Sequence, residues 1–461
     1  MNFNVIIVGG GPAGNITALT AKSVYPDKSV LLIKEIGDGV IPCAIPYMMR
    51  TLNDPMQNIS GNRPLENAGI DIKVGKAVSL DTKKQSITLE SGDVLFYERL
   101  VLATGTDMVM PPIPGVDKKG VFFIQKSMSA MKTLREKVHQ AKKVVIIGGG
   151  FIGAEFADEL SQASDVEIHI VEIMPKLLFA AFDDEFCDII SDSLKNKGIN
   201  VLTNHRVSSI NGDKSVASVS LENGDTIEAD MVLISVGAKP SSQLAKQADI
   251  KIDEDGSIWV DNYMRTNAEN VFAVGDCAVK RDFFTRKSAH IWLASTATAE
   301  ARIAGTNIYG IRVLRQIQGT ISAFSTQIGG KSFASAGMTG KMCKKEGFRC
   351  ISATAVAPDR HPGSLPGASE MRVKLVFADR SGIILGGQVS GGASVGELIN
   401  MIALAIQKKV TVRELDMMQI ATHPLLTSSP TVHPLIDAAH QALTKMRAAA
   451  RGETFLKEKI A

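Results

Sequence analysis

The sequence predicts an α/β protein built from two consecutive β-α-β nucleotide-binding folds and a C-terminal α+β domain. Three observations carry that expectation. A glycine-rich strand-turn-helix motif occurs twice, a later apolar strand closes each fold, and after about residue 319 the pattern changes to alternating strands and helices.

The first copy of the motif is Val5-Ile6-Ile7-Val8-Gly9-Gly10-Gly11-Pro12-Ala13-Gly14, and the second is Val144-Val145-Ile146-Ile147-Gly148-Gly149-Gly150-Phe151-Ile152-Gly153. Helical patterns follow at 16–24 and 154–162, and further apolar strands at 29–33 and 167–171. In each copy the first glycine (Gly9, Gly148) permits the tight turn and the second (Gly11, Gly150) lets the backbone approach a pyrophosphate. The third (Gly14, Gly153) allows close packing of helix on strand. The helix N-terminus then supplies N–H groups and positive potential to an anion, with Pro12, Ala13 and Ile152 in the same turns. One such motif is weak evidence, but two in strand-turn-helix context predict a pair of Rossmann-like dinucleotide-binding domains.

An acid at the end of the second strand of such a fold holds the ribose hydroxyls. In the second fold this is Glu172, whose charge disfavours a 2′-phosphate and so favours NADH over NADPH, with Lys176 nearby working against that preference. In the first fold spacing leaves both Lys34 and Glu35 open, and Glu35 is the expected ribose partner. A β-rich stretch at 70–89 and the strand Arg99-Leu100-Val101-Leu102-Ala103-Thr104-Gly105 precede a proline-rich link at 111–115. The strand Asp230-Met231-Val232-Leu233-Ile234-Ser235-Val236-Gly237 closes the second fold, and a strand over 266–276 ends in Gly275-Asp276. The expected domains are therefore 1–112, 113–240, 241–318 (a return to the first fold) and 319–461. The last carries strands at 332–338, 350–356, 371–377 and 382–389, and helices near 394–408 and 432–445.

The 461 residues suffice for about three domains. An apolar share of 45% is ordinary for a soluble protein, and a net charge of +3 is too small to argue for nucleic acid or an anionic membrane as partner. No apolar run reaches the roughly 20 residues needed to span a bilayer. The first strand begins at once, without a basic leader, so a cytoplasmic protein is expected. Five cysteines, at 43, 187, 277, 343 and 350, are scattered and odd in number, as suits reducing surroundings. Cys343 and Cys350 lack the spacing and partners of a zinc site, and no metal is expected.

Cys43 stands in Val40-Ile41-Pro42-Cys43-Ala44-Ile45-Pro46-Tyr47-Met48-Met49, with no second cysteine within a helical turn or two. Most isolated cysteines are small buried hydrophobes. Downstream of a nucleotide fingerprint, however, this one reads as a working sulfur that cycles through a mixed disulfide, a persulfide or a sulfenic acid. A helix over 43–51 is expected to begin at Cys43 and favour its thiolate, with Pro46 tolerated in the first turn.

The two nucleotide folds, together with Ala103-Thr104-Gly105 and Val271-Phe272-Ala273-Val274-Gly275-Asp276, resemble the pyridine nucleotide-disulfide oxidoreductase superfamily over nearly the whole chain. That resemblance implies FAD in the first fold, NAD(P)H in the second, and a contact from Asp276 to the flavin's ribityl chain. It also implies a helix N-terminus at Ala294 against the flavin pyrimidine, where a helix dipole stabilises charge on the reduced ring. Met48 stands where two-cysteine members carry their second cysteine, so the segment is similar to the single-cysteine branch of coenzyme A disulfide reductase, NADH-dependent persulfide reductase and NADH oxidase. The implied activity is an FAD-dependent NADH:disulfide or persulfide oxidoreductase working through Cys43 on a small substrate such as a coenzyme A derivative. NADH oxidase and a redox-sensing or electron-carrier flavoprotein are the alternatives. Stretches 364–367 and 420–424 lack the tyrosines that coenzyme A disulfide reductases carry there. His423-Pro424 instead resembles the His-Pro of lipoamide dehydrogenases and mercuric reductases, implying that His423 is an acid/base residue serving the neighbouring subunit of a homodimer. The glutamate that orients that histidine is Ser428 here, and His361 reads as a solvated loop residue.

Overall fold

The computed structural model describes residues 1–162, 165–314 and 316–451, which fold as two units. The first comprises 1–144, 208–220 and 227–320, and the second 145–207, 221–226 and the chain from 321.

In the first unit a seven-stranded sheet runs in the order Asp71–Val74, Val30–Lys34, Asn2–Val8, Val94–Leu102, Ser86–Leu89, Ala77–Asp81, with Val271–Ala273 also paired to Val94–Leu102. The first four strands and Val271–Ala273 are parallel, whereas Ser86–Leu89 and Ala77–Asp81 join antiparallel. The central strands are buried almost throughout, as parallel strands covered on both faces must be. The helix Pro12–Val24 opens on a proline, whose missing N–H costs nothing in the first turn. Its buried face is Ala13, Gly14, Thr17, Ala18 and Ala21, small enough for the helix Ala294–Asn307 to pack closely on it. The strand expected over 266–276 shrinks to Val271–Ala273. Asn270 turns the chain with φ +66°, the Thr266 hydroxyl ties the turn by donating to Val271 O (2.9 Å), and Gly275–Cys277 is a 3-10 turn.

From the strand Lys143–Ile147 at the boundary, the second unit runs through the helix Phe151–Leu160, the strand Glu167–Glu172, the helix Asp184–Lys195 and the strand Asn200–Thr203, the last two strands pairing in parallel. Beyond them lies a five-stranded antiparallel sheet in the order Phe324–Ile328, Lys331–Gly337, Ile384–Gly391, Glu370–Ala378, Cys350–Pro358, with the helices Val395–Gln407 and Pro434–Ala450 packed on it. Phe324–Ile328 escapes sequence reading because polar residues interrupt it. Asp183 ties these parts together. Its carboxylate accepts from Gly340 N (3.0 Å), Lys341 N (3.0 Å) and Gln388 Nε2 (2.8 Å) and pairs with Lys374 (2.8 Å). Burial pushes the Asp183 pKa up, but Lys374 and these donors outweigh it and hold the carboxyl below its usual range.

The first unit buries an ion pair. Lys280 and Glu300 meet at 3.0 Å with side chains 2% exposed each. Glu300 also accepts from Gly275 N (2.8 Å), and Lys280 donates to Gly275 O (2.5 Å) and Ala278 O (2.9 Å). Glu300→Ala strands the ammonium and is expected to cost about 3–5 kcal/mol. Glu300→Gln, which keeps an acceptor for Gly275, should cost less. Urea unfolding of both variants measures this, and an unchanged midpoint for Glu300→Ala contradicts the assignment.

Candidate functional site

In the first fold the glycines serve different ends. A Cβ on Gly9 would lie 2.0 Å from Ala103 O, and one on Gly14 would lie 1.8 Å from Gly9 O, so both are backbone contacts that exclude a side chain. At Gly11 nothing lies within 4 Å of that position. The open backbone at Gly11, facing the start of the helix Pro12–Val24, forms a cradle that fits a pyrophosphate. Ala103 N donates to Val8 O (2.8 Å), Thr104 Oγ1 donates to Ser241 O (2.5 Å), and Gly105 O accepts from Ser241 N (2.9 Å). Gly275 rests against Ala13, where its Cβ would come within 2.7 Å of the alanine Cβ. The structure thus gathers Gly9, Ala13, Gly14, Ala103 and Gly275, with Asp276 following on the 3-10 turn. Burial raises the pKa of Asp276, while Lys280 and Lys126 pull it down. Ala294 is the exposed first residue of its helix. Of the two ribose candidates, Lys34 is buried and Glu35 is exposed, paired with Lys76 at 3.2 Å.

The second fold repeats the cradle, with Gly150 open, Gly153 buried and Ile152 exposed. Glu172 ends its strand and is held by two backbone donors, Gly149 N to Oε2 (2.5 Å) and Met174 N to Oε1 (2.6 Å). The ammonium of Lys176 is paired with Asp188. Gly237, in the first unit, has φ +109° and open space at its Cβ position.

The helix expected to begin at Cys43 does not form. Two 3-10 turns, Pro42–Ala44 and Pro46–Met48, replace it. Pro46 has no N–H to donate, so the chain closes three-residue hydrogen bonds instead, Ile45 N to Pro42 O (3.2 Å) and Met49 N to Pro46 O (3.0 Å). A three-residue turn lacks the dipole of a helix, and the expected support for the thiolate from that source falls away. Cys43 is exposed, on a segment pinned at both ends. Before it, Ile41 exchanges hydrogen bonds with Asn58, N to O (3.0 Å) and Asn58 Nδ2 to Ile41 O (3.1 Å). After it, Arg135 donates to Met48 O (3.1 Å), Leu52 O (2.8 Å) and Asn53 O (3.1 Å), and His139 Nε2 meets Met49 O at 3.1 Å. Lys126, which acts on Asp276, accepts Val40 N at its own carbonyl (3.2 Å).

In the second unit His423 is exposed, and its Nδ1 accepts Leu425 N (3.2 Å), which leaves Nε2 to carry the proton of the neutral ring. His361, expected to be solvated, is half-buried against the His423 loop. Its N–H donates to Pro424 O (3.1 Å) and its Nδ1–H to Thr427 O (3.0 Å). Ser428 is buried, and its hydroxyl has no hydrogen-bond partner among the described residues.

Sequence reasoning missed Asn58, Arg135 and His139, whose contacts are long-range and leave no local pattern. It also missed Glu155, for which a signal existed: an acid two residues after Gly153 inside an otherwise apolar helical turn. Its carboxyl accepts from Thr326 Oγ1 (2.6 Å), and burial pushes its pKa up to about 7 against that hydrogen bond.

Residues 3–301 match the family model described as pyridine nucleotide-disulphide oxidoreductase, and residues 324–433 match the dimerisation domain of the same family. The chain is 31% identical over 457 residues to a protein named NADH oxidase from Methanocaldococcus jannaschii, covering 96% of this chain and 99% of the relative. It is 30% identical over 444 residues to an NAD(P)H coenzyme A polysulfide/persulfide reductase from Pyrococcus horikoshii, covering 95% and 97%. A solved NAD-dependent persulfide reductase from A. fulgidus superposes with a TM-score of 0.87 at 30% identity, over 97% of this chain and 84% of that one.

Glu155 gives the second unit a pH dependence of defined sign. Its folded pKa of about 7 lies above the ordinary 4.5, so between those values the folded chain holds a proton that the unfolded chain has released. The group therefore subtracts stability as pH rises from 4.5 through about 7, with the full penalty above that range. Glu155→Gln keeps the acceptor for Thr326 and removes the charge. The melting temperature of the variant should match wild type near pH 4.5 and rise increasingly above it to pH 8, for a gain in stability of at most ~3 kcal/mol. Parallel melting curves across that range contradict this reading.

Proposed function

The chain belongs to the pyridine nucleotide-disulphide oxidoreductase family, and from that premise we propose that it reduces a small disulfide or persulfide with electrons from NADH, by way of FAD and the single sulfur of Cys43. The observation that carries this reading is an exposed cysteine on a segment anchored at both ends. The glycine cradles at Gly11 and Gly150 would hold the pyrophosphates of FAD and NADH. Bound FAD would supply the two-electron relay between nicotinamide and sulfur. The thiolate of Cys43 attacks a sulfur of the acceptor, forming a mixed disulfide and releasing one thiolate, or hydrosulfide from a persulfide. An electron pair then cleaves the mixed disulfide, returning Cys43 as thiolate and releasing the second thiolate. His423, contributed from the C-terminal domain of a second copy in a homodimer, protonates the leaving sulfur through Nε2. Glu172, with Lys176 engaged by Asp188, favours NADH over NADPH.

The relative named NADH oxidase favours a second reading, in which oxygen is the acceptor and Cys43 cycles through sulfenic acid. Oxygen uptake that outpaces disulfide turnover at equal NADH decides for it.

Cys43→Ser should lower disulfide and persulfide turnover to background while NADH still bleaches the flavin, as followed by absorbance under anaerobic conditions. Retained disulfide turnover contradicts the role of Cys43. Glu172→Gln should raise the ratio of kcat/KM for NADPH over NADH at least about tenfold, since a like charge against the 2′-phosphate is removed. An unchanged ratio assigns the preference to other residues.

A further inference from the structure

The hydrogen bonds of the two nucleotide folds align them residue by residue. Gly9 N donates to Ile33 O (2.8 Å) and Gly148 N donates to Val171 O (2.9 Å). Gly10 therefore corresponds to Gly149, and Lys34 corresponds to Glu172. The side chains agree with the backbone. A Cβ on Gly10 would lie 2.6 Å from Lys34 Cγ, and one on Gly149 would lie 3.1 Å from Cβ and Oε2 of Glu172. In each fold the last residue of the second strand lies against the middle glycine, and Glu35 points instead toward Lys76.

Lys34 is 4% exposed, and its Nζ donates to Asn62 Oδ1 at 2.8 Å. Asn62 is the residue before the helix Arg63–Asn67. An ammonium has three N–H groups, and among the described residues this bond to a neutral amide is its one side-chain partner. Burial holds the Lys34 pKa below the ordinary lysine range, so a further acceptor on a ligand relieves a cost the folded chain already bears. A carboxylate at this place of a nucleotide fold accepts hydrogen bonds from ribose hydroxyls, whereas a cation nearby accommodates a phosphate on the ribose.

We propose that the first fold recognises the adenosine ribose of its dinucleotide through Nζ of Lys34, presented by Asn62, and consequently tolerates a phosphate on that ribose. This rests on the reading of the first fold as the FAD site. The full-length chain, freed of flavin, is titrated with FAD, and quenching of flavin fluorescence gives the dissociation constant. Competition by AMP and by adenosine 2′,5′-bisphosphate against the same signal reports on the first fold alone. Lys34→Met is expected to raise the FAD dissociation constant about tenfold and Lys34→Arg to leave it within about threefold. Against wild type the bisphosphate should compete at least as well as AMP, and against Lys34→Glu it should compete about tenfold worse than AMP. The proposal is overturned if Lys34→Met binds FAD as wild type does, or if wild type itself prefers AMP over the bisphosphate by tenfold or more. The wild-type competition needs no variant, so it decides even where a substitution prevents folding. A wild-type chain that takes up no FAD removes the FAD reading, and the proposal with it, before any variant is compared.

Discussion

Three stretches of backbone meet in the first unit at a point with no room for a side chain, and the placing of the candidate flavin contacts follows from that constraint. Ala103 crosses Gly9, the helix start at Gly14 crosses the carbonyl of Gly9, and Gly275 rests on Ala13. Sterics alone require only that these residues be small; they do not keep the chains together. The strand pairings bring Asn2–Val8 and Val94–Leu102 side by side, and Val271–Ala273 is led to the same place by its ladder to Val94–Leu102. The turn beyond that strand is held by Lys280 and Glu300, which take the two polar groups of Gly275 between them. A buried ion pair of this kind contributes little net stability, because desolvation offsets its Coulomb attraction. Its effect here is on register. Both backbone groups of Gly275, the residue before Asp276, are engaged by it.

The same trade of local regularity for fixed position governs Cys43. Pro42 and Pro46 break the segment into two 3-10 turns, and the carbonyls at 48, 49, 52 and 53, at and beyond their end, have no partner within a helix. Arg135 and His139 take those four carbonyls from a neighbouring helix, Met128–Gln140. A planar guanidinium with several donors suits carbonyls spread over a turn better than a lysine does. The cysteine is thus exposed on a rigid support, the combination that a nucleophile meeting an external sulfur requires.

The architecture was legible because it rests on periodicity and glycine punctuation, which are local. The repeated Gly-x-Gly-x-x-Gly placed both cradles, and the structure opens space at Gly11 and Gly150 and closes it at Gly9 and Gly14. What stayed illegible depends on contacts distant in sequence. Arg135 lies far from Met48, and Asn58 acts on Ile41 across an intervening turn. The helix expected at Cys43 was a different kind of miss. Pro46, three residues after Cys43, suits the first turn of a helix, yet two prolines four apart also suit successive 3-10 turns, and the carbonyls at 48 and 49 then take donors from Arg135 and His139. Lys34 and Glu35 are adjacent, so spacing could not rank them. Which of the two lies against the glycine loop follows from one backbone hydrogen bond, Gly9 N to Ile33 O.

The glycine motif and the residue that ends the second strand carry two kinds of information. The glycines encode a backbone path, and the path is the same in both folds. They do not encode charge. At the corresponding place one fold presents a carboxylate with both oxygens fixed by backbone N–H groups, and its nearest sequence cation, Lys176, is occupied by Asp188. The other presents an ammonium whose partner is a neutral amide. Two loops with equal geometry therefore offer a nucleotide opposite fields over the few ångströms where riboses differ, and at that range in a partly desolvated site charge outweighs small differences of shape. On the proposed reading, the residue that ends the second strand sets which ribose each fold accepts.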